Sequence, residues 1–164
     1  MSTINQENNI ALKLSQAVDK TSKVKGFEST ITVLHYNWGV SRAVREGEPS
    51  GNTIIDALRV TVASGAATPA MMVMCQQGKV DLSATLTVYS TMGEKLAPVI
   101  VFTLTNVLIT RVGVQGSRGA TFQDDEVELT FSEVKYLVNV YDGDKLVVSP
   151  EFHEKIEVGT SKGK

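Results

Sequence analysis

A second cysteine is missing from this chain of 164 residues, and that absence sets its first limits. Cys75 stands alone, so no intrachain disulfide forms, nothing marks an oxidising folding compartment, and a cytoplasmic folding site is expected. Histidine is nearly as scarce. His35 and His153 sit in no HxH, HxxxH or HExxH arrangement, so a zinc centre would need distant carboxylates and no metal is expected. An excess of charge is lacking too: 16 basic against 18 acidic residues leave a net charge of −2, which argues against nucleic acid and acidic membranes as partners. No run approaches the ~18 apolar residues of a membrane span, so no direct membrane insertion is expected. The opening MSTINQENN has no apolar core of a signal peptide. If this chain leaves the cell, it does so without a conventional signal.

Catalytic signatures are absent as well. Cys75 lies near the C-terminal end of an apolar helical stretch, where dipole and burial both disfavour a thiolate, so it reads as packing. The carboxylates Asp124, Asp125, Glu126 and Glu128, and the pair Asp142 and Asp144, lack the spacing of a calcium loop. GVQGSRG at 113–119 lacks the GK[ST] ending and the helix of a phosphate loop. No catalytic residue, cofactor or metal ligand is assigned, and an enzyme is not expected.

What is present is β-pattern interrupted by one helix. Length and an apolar fraction of 42% fit one domain over 1–164, with mobile ends at about 1–9 and 159–164. Thr68 to Gly78, TPAMMVMCQQG, reads as the helix: Thr68 as N-cap, Pro69 at the first helical position, Gly78 as the left-handed stop. Ala70 to Cys75 is apolar without a charge. A helix of about ten residues is too short to persist alone in water, so this one must be packed.

Around it, Ile10, Leu12 and Leu14 alternate as a first strand, and residues 29–38, ending in Trp38 before Gly39, form a second. Ser15 to Gly26 reads as a loop with a helical turn around Gln16 to Lys20. Ile54 to Val62 and Asp81 to Ser90 alternate with period two. Thr91 to Pro98 reads as a turn region, and Val99 to Val114, apolar on both phases, as one strand covered on both faces. The apolar phase slips between Phe131 and Val134, the mark of a bulge or of a strand bending between sheets. Tyr141 to Asp144 reads as a turn, followed by short strands at Leu146 to Val148 and Lys155 to Val158. Seven or eight strands and one helix predict a mainly β fold: a compact β-barrel of two packed antiparallel sheets, the helix plugging an open end or covering one face.

Arg45 to Thr53, REGEPSGNT, reads as an exposed nine-residue loop, longer than an ordinary hairpin connection. Long loops in compact domains are often functional.

Several blocks in order resemble one family. ITVLHYNWGVS at 31–41, TPAMMVMCQQGK at 68–79, ATLTVYS at 84–90, VIVFTLTNVLIT at 99–110 and DDEVELTFSEVKYLV at 124–138 are similar to the haemolysin-coregulated proteins, the tube proteins of bacterial type VI secretion. The likeness covers roughly Gly26 to Val140. Where the family often carries Gly-Glu-Ser, Gly26 and Glu28-Ser29 are interrupted here by Phe27. The resemblance implies a β-barrel protomer with the helix at its side, assembling head to tail into a six-membered ring. It also implies stacking of rings into a tube, a spike protein at the tip, a contractile sheath outside, effector proteins carried in the pore, and export from the cytoplasm by the machine itself. Candidate ring or stacking contacts are Arg45, Glu46, Glu48, Pro49, Ser50, Met71 and Met72; Trp38, Gly39, Thr68, Pro69 and Gly78 are structural. A monomeric ligand-binding β-barrel with an apolar pocket inside is the alternative.

Overall fold

A computed structural model describes residues 9–16, 30–78, 80, 82–119 and 123–156. The helical turn expected within Gln16 to Lys20, the stretch around Gly26 to Ser29 and the end from 157 lie wholly or mostly outside them. In chain order the elements are β1 (Ile10–Leu14), β2 (Ile31–Asn37), β3 (Val40–Arg45), β4 (Glu48–Ile55), β5 (Leu58–Ala63) and α1 (Ala67–Gln77). There follow β6 (Leu82–Met92), β7 (Lys95–Gln115), β8 (Asp124–Thr130), β9 (Glu133–Val138), β10 (Val140–Asp142), β11 (Lys145–Val148) and β12 (Glu151–Lys155).

The strands pair antiparallel in the order β7-β6-β1-β2-β5-β8, and a further pairing of β8 with β7 closes this sheet into a six-strand barrel. The mainly β barrel with one short helix is the fold that the alternation predicts. Inward positions carry the apolar phase: Leu12, Leu58, Val60, Leu86, Leu104 and Leu129 are almost wholly buried. Burying each such side chain contributes about 1.5–3 kcal/mol, and a six-strand barrel is narrow enough for them to fill it. β9 and β12 extend the sheet from the N-terminal half of β7, while β3–β4 and β10–β11 stand as separate two-stranded hairpins.

The long run expected as one doubly covered strand behaves differently. In β7, Phe102 and Leu104 are buried while Thr103 and Thr105 are exposed, and beyond Asn106 the buried phase moves to Val107 and Ile109. Asn106 has a φ of 52°, a left-handed kink at which β7 exchanges partners. Up to Thr105 it pairs with β9, and from Leu108 with β8. The phase slip after Phe131 lies opposite this kink. β8 ends in the barrel and β9 leaves it, with the Ser132 N–H donating to Thr105 O at 3.0 Å and Asn106 Nδ2 to Ser132 Oγ at 3.0 Å. One bend in each strand, tied by Ser132, turns the barrel wall into the extension.

Other boundaries also shift. The expected strand over Ile54 to Val62 breaks at Asp56 and Ala57, and the expected turn region from Thr91 shrinks to Gly93 and Glu94, since Pro98 lies within β7. The closing strand forms at Glu151–Lys155 rather than from Lys155 onward, and Asn9, expected as part of a mobile end, exchanges two hydrogen bonds with Tyr89.

The helix begins where Ala63, Asp124 and Gln115 meet at one end of the barrel, and it packs against β7. Its N-cap is Ala66, which makes no side-chain hydrogen bond, so Thr68 is a second-position residue and Pro69 a third. The correction has a physical cause. The Thr68 hydroxyl, needed for capping, is drawn inward to donate to Asp125 Oδ2 at 2.6 Å. The Gly65 N–H donates back to Thr68 Oγ1 at 3.3 Å, and the Thr68 N–H to Gly65 O at 3.1 Å, a turn that starts the helix early. Gly78 ends it as expected, in the left-handed conformation at φ 63°.

Candidate assembly surfaces

Trp38 and Gly39 form the root from which the first free hairpin leaves the barrel. The indole of Trp38 packs edge-on to Phe102 with centroids 5.5 Å apart and lies against Tyr136 and Phe152 at 5.8 and 6.1 Å. These contacts join barrel to extension. Its ring N–H is buried without a hydrogen-bond partner among the described residues. Burial pushes the Tyr36 hydroxyl above its ordinary pKa, with Tyr136 adding to the effect. Gly39 O accepts from the Asp56 N–H at 3.0 Å, and a β-carbon on Gly39 would come within 3.2 Å of Asp56 Oδ2. That close approach accounts for a glycine after the tryptophan.

The segment expected as a nine-residue loop is a hairpin. Arg45 pairs with Glu48 across a two-residue turn in which Glu46 and Gly47 have φ of 53° and 79°. Both central residues are left-handed, as a type I′ turn requires. The usual Asn-Gly or Asp-Gly signal is replaced by Glu-Gly, and Pro49 and Gly51 disguise the returning strand. Those two residues sit beside a register shift, where Gly51 takes a φ of 70°. Of the expected contact residues, Arg45, Glu46, Glu48 and Pro49 are exposed on this hairpin, and the backbone of Ser50 lies in β4. Val40, Val44 and Ile54 are exposed on it as well.

The helix separates its methionines. Met71 and Met74 are buried in the core, whereas Met72 and Val73 face outward. Met71, expected as a contact residue, is 0% exposed and offers no surface to a neighbour. Spacing explains the correction: residues 67, 71 and 74 share the face turned to the barrel, and 72 does not.

A surface absent from the expectations is the arm formed by β9–β10 against β11–β12. Leu146, Val147 and Val148 are all exposed, as are Val140 and Phe152. The signal was visible: KLVV follows a turn without any polar alternation, which a one-sided strand should show. The arm is fastened at Asn139, whose Nδ2 donates to Pro98 O at 2.9 Å, and at Tyr141, whose hydroxyl donates to the same oxygen at 2.9 Å. On its outer part Lys135 pairs with Glu151 at 3.1 Å, and His153 Nε2 lies 2.5 Å from Glu133 Oε1. The hydrogen bond from His153 holds the Glu133 carboxyl below its usual range.

The barrel's outer wall carries a cleft of about 450 Å³ lined by His35, Asn37, Arg59, Arg111, Glu126 and Glu128 among others. Arg59 Nε pairs with Glu128 Oε2 at 3.1 Å and the Thr110 hydroxyl donates to Glu128 Oε1 at 2.9 Å. Arg59 and Glu128 offset each other's charge on an open wall. Among the described residues no group of three or more His, Cys, Asp or Glu is placed to hold a metal, and no helix is long and apolar enough to cross a membrane.

Comparisons with known proteins agree with this architecture. A sequence comparison with the curated proteins returns no significant match. Among solved structures, Hcp1 from Salmonella typhimurium superimposes with a TM-score of 0.72 at 23% identity, over 90% of this chain and 93% of that one. A type VI secretion system effector from Yersinia pestis gives 0.72 at 16%, over 90% and 99%. The secreted protein Hcp3 from Pseudomonas aeruginosa gives 0.64 at 12%, over 90% and 97%. These likenesses concern the fold. The model of the family described as "Type VI secretion system effector, Hcp" matches residues 12–137, from the first barrel strand into β9. A match over more than half of the chain, on a fold shared with Hcp structures, establishes that this protein belongs to the Hcp family of type VI secretion.

Proposed function

We propose that this chain is the structural subunit of a type VI inner tube, forming six-membered head-to-tail rings that stack, carry or chaperone effectors, and leave the cytoplasm with the tube. The observation that supports it most directly is the placing of apolar side chains. The barrel interior is filled, yet Val44, Ile54, Val147 and Val148 are all more than half exposed, on hairpins that project from it. Isolated two-stranded hairpins are marginal in water, and apolar surface of this kind is ordinarily covered by another chain. A heterologous contact closing by rotation produces a ring. The spike at the tip, the sheath outside and effectors in the pore are the partners such a tube requires, and no catalytic step, cofactor or nucleic acid enters the reading. The alternative, a monomeric ligand-binding barrel, finds less support: its interior is occupied by side chains, and the 450 Å³ cleft lies on the charged outer wall.

Light scattering combined with negative-stain microscopy tests the proposal. Six-membered rings are expected at micromolar protein; a monomer at every concentration, without rings in the images, would sink it. Shortening the first hairpin by deleting Glu46 to Asn52 is expected to weaken stacking or tube function while leaving thermal stability nearly unchanged, because exposed hairpin residues add little to the core. A fall in melting temperature as large as that of Leu86→Ala would contradict this.

A further inference from the structure

Two β-bulges flank the wall that holds the 450 Å³ cleft. In β2 the register slips between Val33 and His35, leaving Leu34 as the extra residue, and in β7 it slips between Ile109 and Arg111, leaving Thr110. A bulge re-aims the side chains beyond it. Val33 points into the core, and past the slip Tyr36 packs inward while His35 and Asn37 turn out. Ile109 is likewise buried, and past the second slip Val112 packs inward while Arg111 turns out. Two rows therefore cross the outer wall: Asn37, Arg59, Glu128 and Arg111, and beside them His35, Thr61, Glu126 and Gly113.

The glycine in the second row gives Arg111 its place. A β-carbon at 113 would come within 2.9 Å of a terminal nitrogen of Arg111 and 3.3 Å of its Cζ, so the guanidinium lies over bare backbone. Glu128, across from Arg111 in register, is already engaged on both oxygens, by Arg59 and by the Thr110 hydroxyl. Arg111 and Glu126 are exposed and make no ion pair among the described residues. The cleft is lined by two arginines and two glutamates, which balance, yet one charge of each sign stays uncommitted.

We propose that this cleft binds an extended segment of a carried protein bearing an acidic and a basic side chain two positions apart, the carboxylate taken by Arg111 and the cation by Glu126. Positions two apart in an extended chain face the same side, so both charges reach the wall together. A segment of single sign meets one matching and one opposing group, so the cleft selects mixed charge. Neighbouring strands lie about 4.8 Å apart, so the four strands from β2 to β7 span about 14 Å, a width crossed by about four extended residues. His35 and Asn37 offer polar tips to the segment's backbone at the β2 side. This deepens the carrier reading above and rests on it.

Fluorescence anisotropy at low salt tests the site on the full-length chain, with a labelled peptide of Glu-Ser-Lys-Ser repeats and equally long controls of Glu-Ser and Lys-Ser repeats, while light scattering follows the rings. The mixed peptide is expected to bind about fivefold tighter than either control, the scale of an exposed ion pair gained and a repulsion avoided. Arg111→Glu is expected to weaken the mixed peptide about fivefold and turn the preference to Lys-Ser, and Glu126→Lys to turn it to Glu-Ser. Gly113→Ala displaces only the flexible guanidinium, so it is expected to lower affinity about twofold with the melting temperature unchanged. Rings that bind all three peptides alike or none of them, or variants that keep the unmodified preference, overturn this site and leave the tube reading standing. Absence of rings from the unmodified chain overturns that reading and this one with it.

Discussion

Replacing Phe102 with alanine is expected to lower folding stability by about 3–5 kcal/mol, the range for emptying a large aromatic site in a core. Phe102 is 2% exposed and lies in the stretch of β7 where barrel and extension share a wall. In register it lies between Leu86 of β6 and Tyr136 of β9. Its ring meets Tyr136 at 4.8 Å, Trp38 at 5.5 Å and Tyr36 at 5.7 Å. Three strands and the hairpin root lean on it, so the surroundings cannot collapse into the space without moving the sheet. Phe102→Leu keeps much of the volume and is expected to lose about 1.5 kcal/mol or less beyond the aromatic contacts themselves, each worth about 0.5–1.5 kcal/mol. Urea unfolding followed by tryptophan fluorescence measures both, and Trp38, the only tryptophan, reports from within the cluster. A loss below 1 kcal/mol for the alanine variant would show that barrel and extension are held together elsewhere.

The second large effect is expected at Asp125, a buried residue at the start of β8. Its Oδ1 accepts from the Ser64 hydroxyl and its Oδ2 from the Thr68 hydroxyl, each at 2.6 Å. Asp125→Ala leaves both hydroxyls without this acceptor. An unsatisfied buried group costs about 1–3 kcal/mol, so a total loss of about 2–4 kcal/mol is expected. Thr68 is itself buried, and its oxygen already accepts from Gly65, so the hydroxyl cannot turn to water for compensation. Asp125→Asn retains one acceptor and donates from the other position, where Thr68 needs an acceptor, and is expected to recover only part of the loss. A double-mutant cycle with Thr68→Val isolates the pair. Additive losses in that cycle would mean that the hydrogen bond does not hold the helix to the barrel, and that apolar packing by Ala67, Met71 and Met74 does so.

Both sites show why some features could be read in the chain and others could not. The alternation of Leu82, Ala84 and Leu86, or of Val127 and Leu129, declares a buried face because a strand presents every second residue to the same side. Gly78 declares a helix end because only a residue tolerant of the left-handed conformation suits it. Thr68 carries an equally good local signal and it misled, because a hydroxyl that can cap a helix can also donate to a carboxyl 57 positions away. The Glu46-Gly47 turn was hidden for a related reason: glutamate is an uncommon first residue of a type I′ turn, and its cost is met by the pairing of the strands on either side. Leu146 to Val148 stood in plain sight, but local pattern cannot say whether an apolar strand will lie inside its own chain or on another.

By itself, the sequence determined the mainly β class, the single helix and its C-terminal stop, the slip after Phe131, and, through blocks met in order, the Hcp family. It also ruled out an intrachain disulfide and left no motif on which to build a catalytic centre. Only the tertiary structure decided that β7 changes partners at Asn106, that Met71 belongs to the core and Met72 to the surface, that Arg45 to Thr53 is a hairpin, and that Leu146 to Val148 lie exposed. The division has one physical reason. Period, propensity and capping act between residues a few positions apart, while closure of a barrel, exchange of strand partners and exposure of an edge depend on which distant segments arrive beside one another.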